Sequence, residues 1–252
     1  MIIIFRLIVC ILFFQSYNIY CQSSMAPIVG GDYVPLYGTD SLLITVNDFY
    51  IDVYPVTNHE FIEFVKQNPE WKKSGIKKIF ADENYLAHWE SDSNIGHSQP
   101  LSAPVTNISW FAANAYCRCQ GKRLPSTDEW EYVAMANKNI RDARYLKSYN
   151  EYILGWYEKP KTFNNKVGST FKNYWNVYDL HGLVWEWTND FNSVLISGES
   201  RKDVDNDSNL FCGSAAIGVT DLMNYAAFMR YAVRGSLKAK YTVKNLGFRC
   251  VK

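Results

Sequence analysis

The chain has 252 residues, with 26 Lys and Arg against 25 Asp and Glu and a formal net charge of +1. This balance gives no electrostatic reason to expect nucleic acid as a partner, because binding a polyanion needs a concentrated basic face. Apolar residues make up 48% and charged residues 20%, which excludes a disordered chain. The 18 Tyr, 14 Phe and 8 Trp predict an irregular core in which the polar ring tips find hydrogen-bond partners.

The beginning of the chain has the pattern of an export signal. Residues 2–14 are apolar apart from Arg6, and polar and small residues follow as far as Ser24. This run is short for a membrane span, which takes about 20 apolar residues. We therefore expect a signal peptide over residues 1–24 and a secreted or periplasmic mature chain without a membrane span. One alternative is an N-terminal membrane anchor. The other is a lipoprotein attached through Cys21, which is disfavoured because the residues before Cys21 are unlike those that precede a lipid-attachment cysteine.

Three helices are predicted from their N-terminal capping signals. Thr57 and Glu60 have the spacing of a capping box, in which each side chain satisfies the other residue's backbone N–H. Ser109 is a good N-cap for a second helix that ends at Gly121. A second capping box over residues 126–129 predicts the start of the third helix.

The remaining segments predict short strands and long loops. Alternating residues over 49–53 and 248–250 are typical of half-buried strands. Residues 138–180 are rich in Asn, Lys, Tyr and Gly, show little periodicity and are predicted to be mostly loop. No linker or repeat divides residues 25–252, so we expect a single α+β domain with little regular secondary structure.

Four segments, taken in order, resemble the formylglycine-generating enzyme or sulfatase-modifying factor family. They are residues 49–65 (FYIDVYPVTNHEFIEFV), 104–134 (PVTNISWFAANAYCRCQGKRLPSTDEWEYVA), 177–190 (VYDLHGLVWEWTND) and 246–250 (LGFRC). The resemblance implies the fold of that family, an elaborated C-type-lectin-like fold, in agreement with the α+β prediction.

The resemblance leaves the activity open. The best-known members oxidise a cysteine of a sulfatase to formylglycine, using oxygen and a copper ion held by two cysteines. Other members act in the maturation of other compounds or have no known chemistry. Membership therefore predicts the fold better than the function.

The residues around Glu186 suggest a calcium site. Glu186 stands between two tryptophans, and a buried, isolated carboxylate costs several kcal/mol unless it is paired or bound to a cation. The resemblance implies one calcium ion, held by the side chains of Asp179 and Glu186 and the backbone carbonyls of Gly182 and Val184. Calcium prefers oxygen ligands of this kind. The alternative is a salt bridge between Glu186 and an arginine such as Arg249.

Copper is not expected. Copper(I) is selected by two soft thiolate ligands close together. The segment that corresponds to the copper-binding region of the catalytic members, residues 211–236, contains Cys212 and no other cysteine. We therefore expect that the protein does not make formylglycine. The alternative is a divergent oxygen-dependent oxidase or maturation enzyme that uses Cys212 as its single reactive thiol.

The other cysteines are expected to form disulfides. Four cysteines follow the predicted signal peptide, and an even number in an oxidising compartment favours disulfides over free thiols. The resemblance pairs Cys117 with Cys250. It also places Cys119 where a Trp is common, which leaves Cys119 and Cys212 as a second pair. The alternative to that second pair is a free Cys212.

Residues 221–234 are distinctive because apolar residues recur at helical spacing. These residues are Leu222, Tyr225, Ala226 and Met229. The pattern indicates either a short helix, which would cover the family's substrate groove, or an extended core segment.

From the cysteine content and the resemblance we expect an exported, calcium-stabilised protein that binds or assists in the maturation of another molecule. Its partner would be a periplasmic or envelope protein or peptide.

Overall fold

The computed structural model describes residues 24–36, 43–97, 99–192 and 222–252. Within these ranges the strands are short and form three two-stranded sheets. The first two sheets are antiparallel and the third is parallel. The paired strands are β1 (Met25–Ile28) with β4 (Phe49–Asp52), β2 (Gly31–Tyr33) with β3 (Ile44–Val46), and β5 (Trp185–Glu186) with β6 (Leu246–Gly247).

Five α-helices and two short 3₁₀ helices lie in the described ranges. The α-helices are α1 (Asn58–Gln67), α2 (Trp110–Cys119), α3 (Thr127–Ala134), α4 (Lys147–Tyr157) and α5 (Leu222–Ser236), and the 3₁₀ helices are Pro69–Trp71 and Thr162–Asn164. The mixture of short strands and helices confirms the predicted α+β class. No helix in the described ranges is long and apolar enough to cross a membrane.

The predicted helix starts are confirmed by their caps. Thr57 and Ser126 each accept a hydrogen bond from the backbone N–H three residues later, and the glutamates at those positions, Glu60 and Glu129, bond back to the cap. Ser109 caps α2. These contacts are local, which explains why sequence alone predicts them.

Helix α4 lies in the segment predicted to be mostly loop, so that prediction is wrong for residues 147–157. The helix has no side-chain cap at its start. Its buried residues are Tyr149, Asn150 and Ile153, and Tyr149 and Ile153 pack in a cluster with Ala226 of α5. Tertiary packing therefore stabilises a helix that lacks strong local signals.

Helix α5 follows the helical alternative for residues 221–234, although not all of the apolar residues that recur there are buried. Tyr225 is 45% exposed. Within residues 225–236 of this helix, the buried residues are Ala226, Ala227, Arg230, Tyr231 and Arg234. Two arginines therefore belong to the side of the helix that packs on the protein.

The C-terminal segment packs beside β4 and β5 and positions Arg249 in the site described below. The prediction of a strand at 248–250 is wrong, because strand β6 lies just before these residues. Residues 248–250 run beside β4, where the Asp52 N–H donates to the Cys250 carbonyl at 2.9 Å. Arg249 and Cys250 are fully buried. This segment brings the side chain of Arg249 to the end of β5.

Candidate functional site

Glu186, at the end of β5, has three hydrogen-bond donors around its carboxylate. Arg249 binds it through two nitrogens, with Nε to Oε2 and Nη2 to Oε1 both at 2.8 Å. The Trp130 indole Nε1–H donates to Oε2 at 2.7 Å. All three groups are buried, and the guanidinium compensates the carboxylate charge. The salt bridge between Glu186 and Arg249 is the alternative to a calcium ion that the sequence left open.

Asp179 is also fully buried, in a turn where its own φ is +60°. Aspartate tolerates this left-handed conformation better than most residues. Its carboxylate accepts hydrogen bonds from the N–H groups of Gly168 and Thr170, the latter at 2.9 Å. Its charge is therefore stabilised by backbone amides.

The predicted calcium ligands fit the ion in chemical type, because all of them are oxygens. In the described ranges, no hydrogen bond reaches the carbonyl oxygens of Gly182 and Val184. Both oxygens of Asp179 and Oε1 of Glu186 accept a single hydrogen bond each and keep a second lone pair. The described residues hold no cluster of three or more His, Cys, Asp or Glu arranged for a metal. A calcium ion here would therefore depend on the two carbonyls.

A second buried ion cluster, which the sequence interpretation missed, joins α3 to α5. Glu131 accepts hydrogen bonds from Arg230 Nη2 and from Arg234 Nη1, both at 2.7 Å. Arg234 also lies over the Trp130 ring, 4.8 Å from its centre. One carboxylate thus faces two guanidiniums, and the cluster carries a net charge of +1. The available signal was the spacing of Arg230 and Arg234, four residues apart on one face of an otherwise apolar helix.

A cavity of about 70 Å³ lies between the two ion clusters. Its described walls include three tryptophans, four leucines, Glu186 and Arg234. The tryptophans are Trp130, Trp156 and Trp185, and the leucines are Leu180, Leu183, Leu237 and Leu246. Gly182 and Val184 also line it, so three of the four predicted calcium ligands border this cavity.

His181 is buried next to the Glu131 cluster. One ring nitrogen, Nε2, lies 2.9 Å from the carbonyl oxygen of Ala134. Burial is the main cause, and the positive charge of Arg230 the next, that together lower the pKa of His181 from 6.5 to about 3. His181 is therefore neutral at pH 7 and fills a structural position.

We expect the stability of the protein to fall as the pH drops from about 6.5 towards 3. The unfolded chain takes up a proton at His181 in this range and the folded chain does not, so acid favours unfolding. His88, whose pKa burial lowers to about 4, adds to the same effect. Each group contributes up to about 1.4 kcal/mol per pH unit.

Urea unfolding at pH 6.5 and pH 5 measures this loss. His181→Gln should lose distinctly less stability between the two pH values than the wild type, and His59→Gln, as the matched control, should behave like the wild type. Equal losses in the wild type and His181→Gln would contradict the assignment.

Two of the cysteines form a buried disulfide. Cys117 in α2 is joined to Cys250, the pairing that the resemblance implies, with Cα atoms 5.6 Å apart. Cys119 is exposed and forms no disulfide with a described cysteine, and Asn68 Nδ2 lies 4.0 Å from its sulfur. Cys212 lies outside the described residues, so its suggested pairing with Cys119 and its suggested reactivity remain predictions.

The fold and the sequence are similar to those of proteins of one family. The sulfatase-modifying factor enzyme 1-like domain matches residues 29–252. The inactive C-alpha-formylglycine-generating enzyme 2 of Mus musculus is 27% identical over 244 residues, which cover 82% of this chain and 76% of that protein. The formylglycine-generating enzyme of Mus musculus is 27% identical over 258 residues, covering 82% of this chain and 66% of that protein.

A solved structure supports the fold. PvdO from Pseudomonas aeruginosa aligns with a TM-score of 0.50 and 18% identity, covering 92% of this chain and 95% of that chain. At this identity the likeness concerns the fold alone. The match over residues 29–252 shows that the chain belongs to the sulfatase-modifying factor family, which confirms the resemblance.

Proposed function

We propose that this protein is an exported, calcium-stabilised accessory protein that binds a periplasmic or envelope protein or peptide and does not make formylglycine. The observation that carries the proposal is the cysteine content. Cys117 and Cys250 are tied to each other in the core, so the thiols left after the predicted signal are Cys119 and Cys212. Cys119 is exposed at the end of α2 and does not line the cavity described above. The residues present do not fit a two-thiolate copper site.

The relatives are compatible with this proposal but do not decide whether this chain is catalytic. The Mus musculus relative named as inactive and the one named as the enzyme are both 27% identical to this chain. The choice therefore depends on the chemistry of the thiols in this chain.

Copper titration and a peptide assay test the proposal. The purified protein is titrated with copper(I) and then incubated with oxygen and a peptide that carries a sulfatase-type cysteine, with a catalytic family member as the positive control. We expect no stoichiometric copper binding and no conversion of the cysteine. Stoichiometric copper(I) with oxygen-dependent oxidation of the peptide would overturn the proposal.

The second candidate is an oxidase or maturation enzyme that uses Cys212. It rests on Cys212, the cysteine in the segment that corresponds to the copper-binding region, and it requires that Cys212 is not bridged to Cys119. Mass-spectrometric mapping of the protein after alkylation separates the candidates. A Cys119–Cys212 bridge rules out the enzyme, whereas alkylation of Cys212 in the unreduced protein supports it.

Calcium binding is proposed at Asp179, Gly182, Val184 and Glu186. Because two carboxylates and two backbone carbonyls would share the ion, we expect a chelator to lower the melting temperature of the wild type and calcium to restore it. Glu186→Ala should abolish this difference.

Glu186→Ala also removes the partner of Arg249 and destabilises the protein in any buffer. The relevant quantity is therefore the difference in melting temperature with and without calcium within each variant. Glu151→Ala, which changes an exposed glutamate on α4, should keep the full difference. Identical melting of the wild type in chelator and in calcium would contradict the site.

A further inference from the structure

We propose that the cavity between the two ion clusters binds a carboxylate group of a small, partly apolar ligand, held by Arg234 and by the indole N–H of Trp156. The inference does not depend on the accessory role, because the same cavity would be present in an enzyme. It begins from two side chains whose hydrogen-bond donors are incompletely used.

Arg234 is the charged donor. It is only 5% exposed, and it gives one hydrogen bond, from Nη1 to Glu131. No hydrogen bond runs from its Nε or Nη2 to any residue that the structure describes. Arg230 also donates hydrogen bonds to both carboxylate oxygens of Glu131. The two arginines therefore share one carboxylate, and one positive charge of the cluster is not compensated by it. A buried guanidinium in this situation favours an added anion, because an uncompensated buried charge is costly.

Trp156 is the neutral donor. Its indole Nε1–H is buried and has no hydrogen-bond acceptor within the described ranges. Trp156 and Arg234 line the same cavity. Lys159 also lies at this wall, with its Nζ 3.8 Å from the centre of the Trp156 ring. An acceptor in the cavity would satisfy a donor that is otherwise buried without a partner.

The electrostatics favour an anion over a cation at the Arg234 side. The carboxylate among the described wall residues, Glu186, is already bound by Arg249 through both oxygens. Arg234 and Lys159 are the positive wall residues. A single extra negative charge matches the net +1 of the Glu131 cluster, and a dianion such as phosphate exceeds it.

The size and the walls identify the anion as a carboxylate with a short apolar part. The volume of about 70 Å³ is about half of the ~150 Å³ cavity that accommodates the six carbons of benzene, so it has room for roughly three non-hydrogen atoms, the number in a carboxylate group. A planar guanidinium presents donors in a fork that matches a carboxylate. The rings of Trp130 and Trp185 offer apolar contact to the attached carbon.

Acetate is the probe for the site. In ¹⁵N-labelled protein, titration with sodium acetate against sodium chloride at constant ionic strength should shift the indole signal of Trp156 saturably in the millimolar range. The titration is run with calcium and with chelator, because Gly182, Val184 and Glu186 border the same cavity. We expect the binding of acetate to depend on Arg234 both with calcium and with chelator. A shift that chloride reproduces equally would overturn the proposal.

Two variants test the donors separately. Arg234→Lys keeps the charge but loses the planar fork, and acetate should bind about tenfold more weakly. Trp156→Phe keeps the ring but loses the N–H, and binding should weaken about threefold to tenfold, as followed by the amide signals of Asn245 and Leu246 in the cavity wall. Trp156→Phe keeps the test valid if Arg234→Lys does not fold.

Trp175→Phe is the matched control. The indole Nε1–H of Trp175 is likewise buried without an acceptor in the described residues, but Trp175 does not line this cavity. This variant should bind acetate as the wild type does. Equal affinities of the wild type and the Arg234 and Trp156 variants, or no saturable shift in the wild type, would overturn the proposal.

The source of the carboxylate is then identified with peptides. A short peptide with a free C-terminal carboxylate that binds more tightly than acetate, while its C-terminal amide does not bind, assigns the site to a chain terminus. A peptide that binds no more tightly than acetate assigns it to a small free carboxylate.

Discussion

Replacing Glu131 with glutamine is expected to lower the free energy of unfolding by about 3–5 kcal/mol. The reason is that Glu131 is the shared partner of Arg230 and Arg234, and all three side chains are buried between α3 and α5. Glutamine has nearly the same shape, so the loss measures the missing charge. Without the negative charge of Glu131, the guanidiniums of Arg230 and Arg234 remain buried with no carboxylate in the cluster. Urea unfolding at pH 7 is the measurement.

Glu151→Gln is the matched control. Glu151 forms a pair with Lys147 on the exposed surface of α4, at 3.6 Å. Exposed pairs contribute little, so this variant should change the free energy of unfolding by less than about 1 kcal/mol. Similar losses for the two variants would show that the buried cluster does not carry the stability assigned to it.

The same cluster makes a distinct contribution to acid stability. Burial raises the pKa of Glu131, but the positive charges of Arg230 and Arg234 outweigh it and lower the pKa from 4.5 to about 2. The stabilisation is therefore complete above about pH 4.5 and is lost as the pH falls towards 2. This range begins below that of His181, so Glu131→Gln should remove the lower part of the acid dependence and leave the upper part.

Removing the Cys117–Cys250 disulfide is expected to cost about 4–5 kcal/mol in the free energy of unfolding. The two cysteines are 133 residues apart, and a crosslink over so long a loop restricts the unfolded chain strongly. The double variant Cys117→Ala, Cys250→Ala is compared with the wild type by denaturant unfolding without reductant. Its midpoint should be lower.

Arg118→Lys is the control for this experiment. Arg118 is exposed and lies next to Cys117 on the same helix, so its replacement should leave the midpoint nearly unchanged. If the double variant unfolds at the wild-type midpoint, the crosslink does not stabilise the protein as the loop length predicts.

The features predicted from the sequence are those that depend on neighbouring residues or on family patterns. The caps at Thr57 and Ser126 use residues three positions apart, so local sequence is sufficient. The disulfide partner of Cys117 came from the family pattern, since spacing along the chain does not fix it.

Other features depended on residues that are far apart in the sequence. Helix α4 has no capping side chain and owes its position to packing with α5. The helical spacing in α5 was recognised from apolar residues alone, and it did not show that Arg230 and Arg234 are buried against Glu131. A buried arginine is unfavourable until its partner is known, and that partner lies about 100 positions earlier in the chain.

The sequence by itself determined the family, the α+β class, the main helix starts and the presence of a single cysteine in the segment that corresponds to the copper-binding region. It left open whether Glu186 is compensated by a cation or by Arg249. The tertiary structure pairs Glu186 with Arg249, joins Glu131 to two arginines and leaves donors of Arg234 and Trp156 beside a cavity. These arrangements were decided only by folding, because charge compensation in a core depends on which distant side chains packing brings within hydrogen-bond distance.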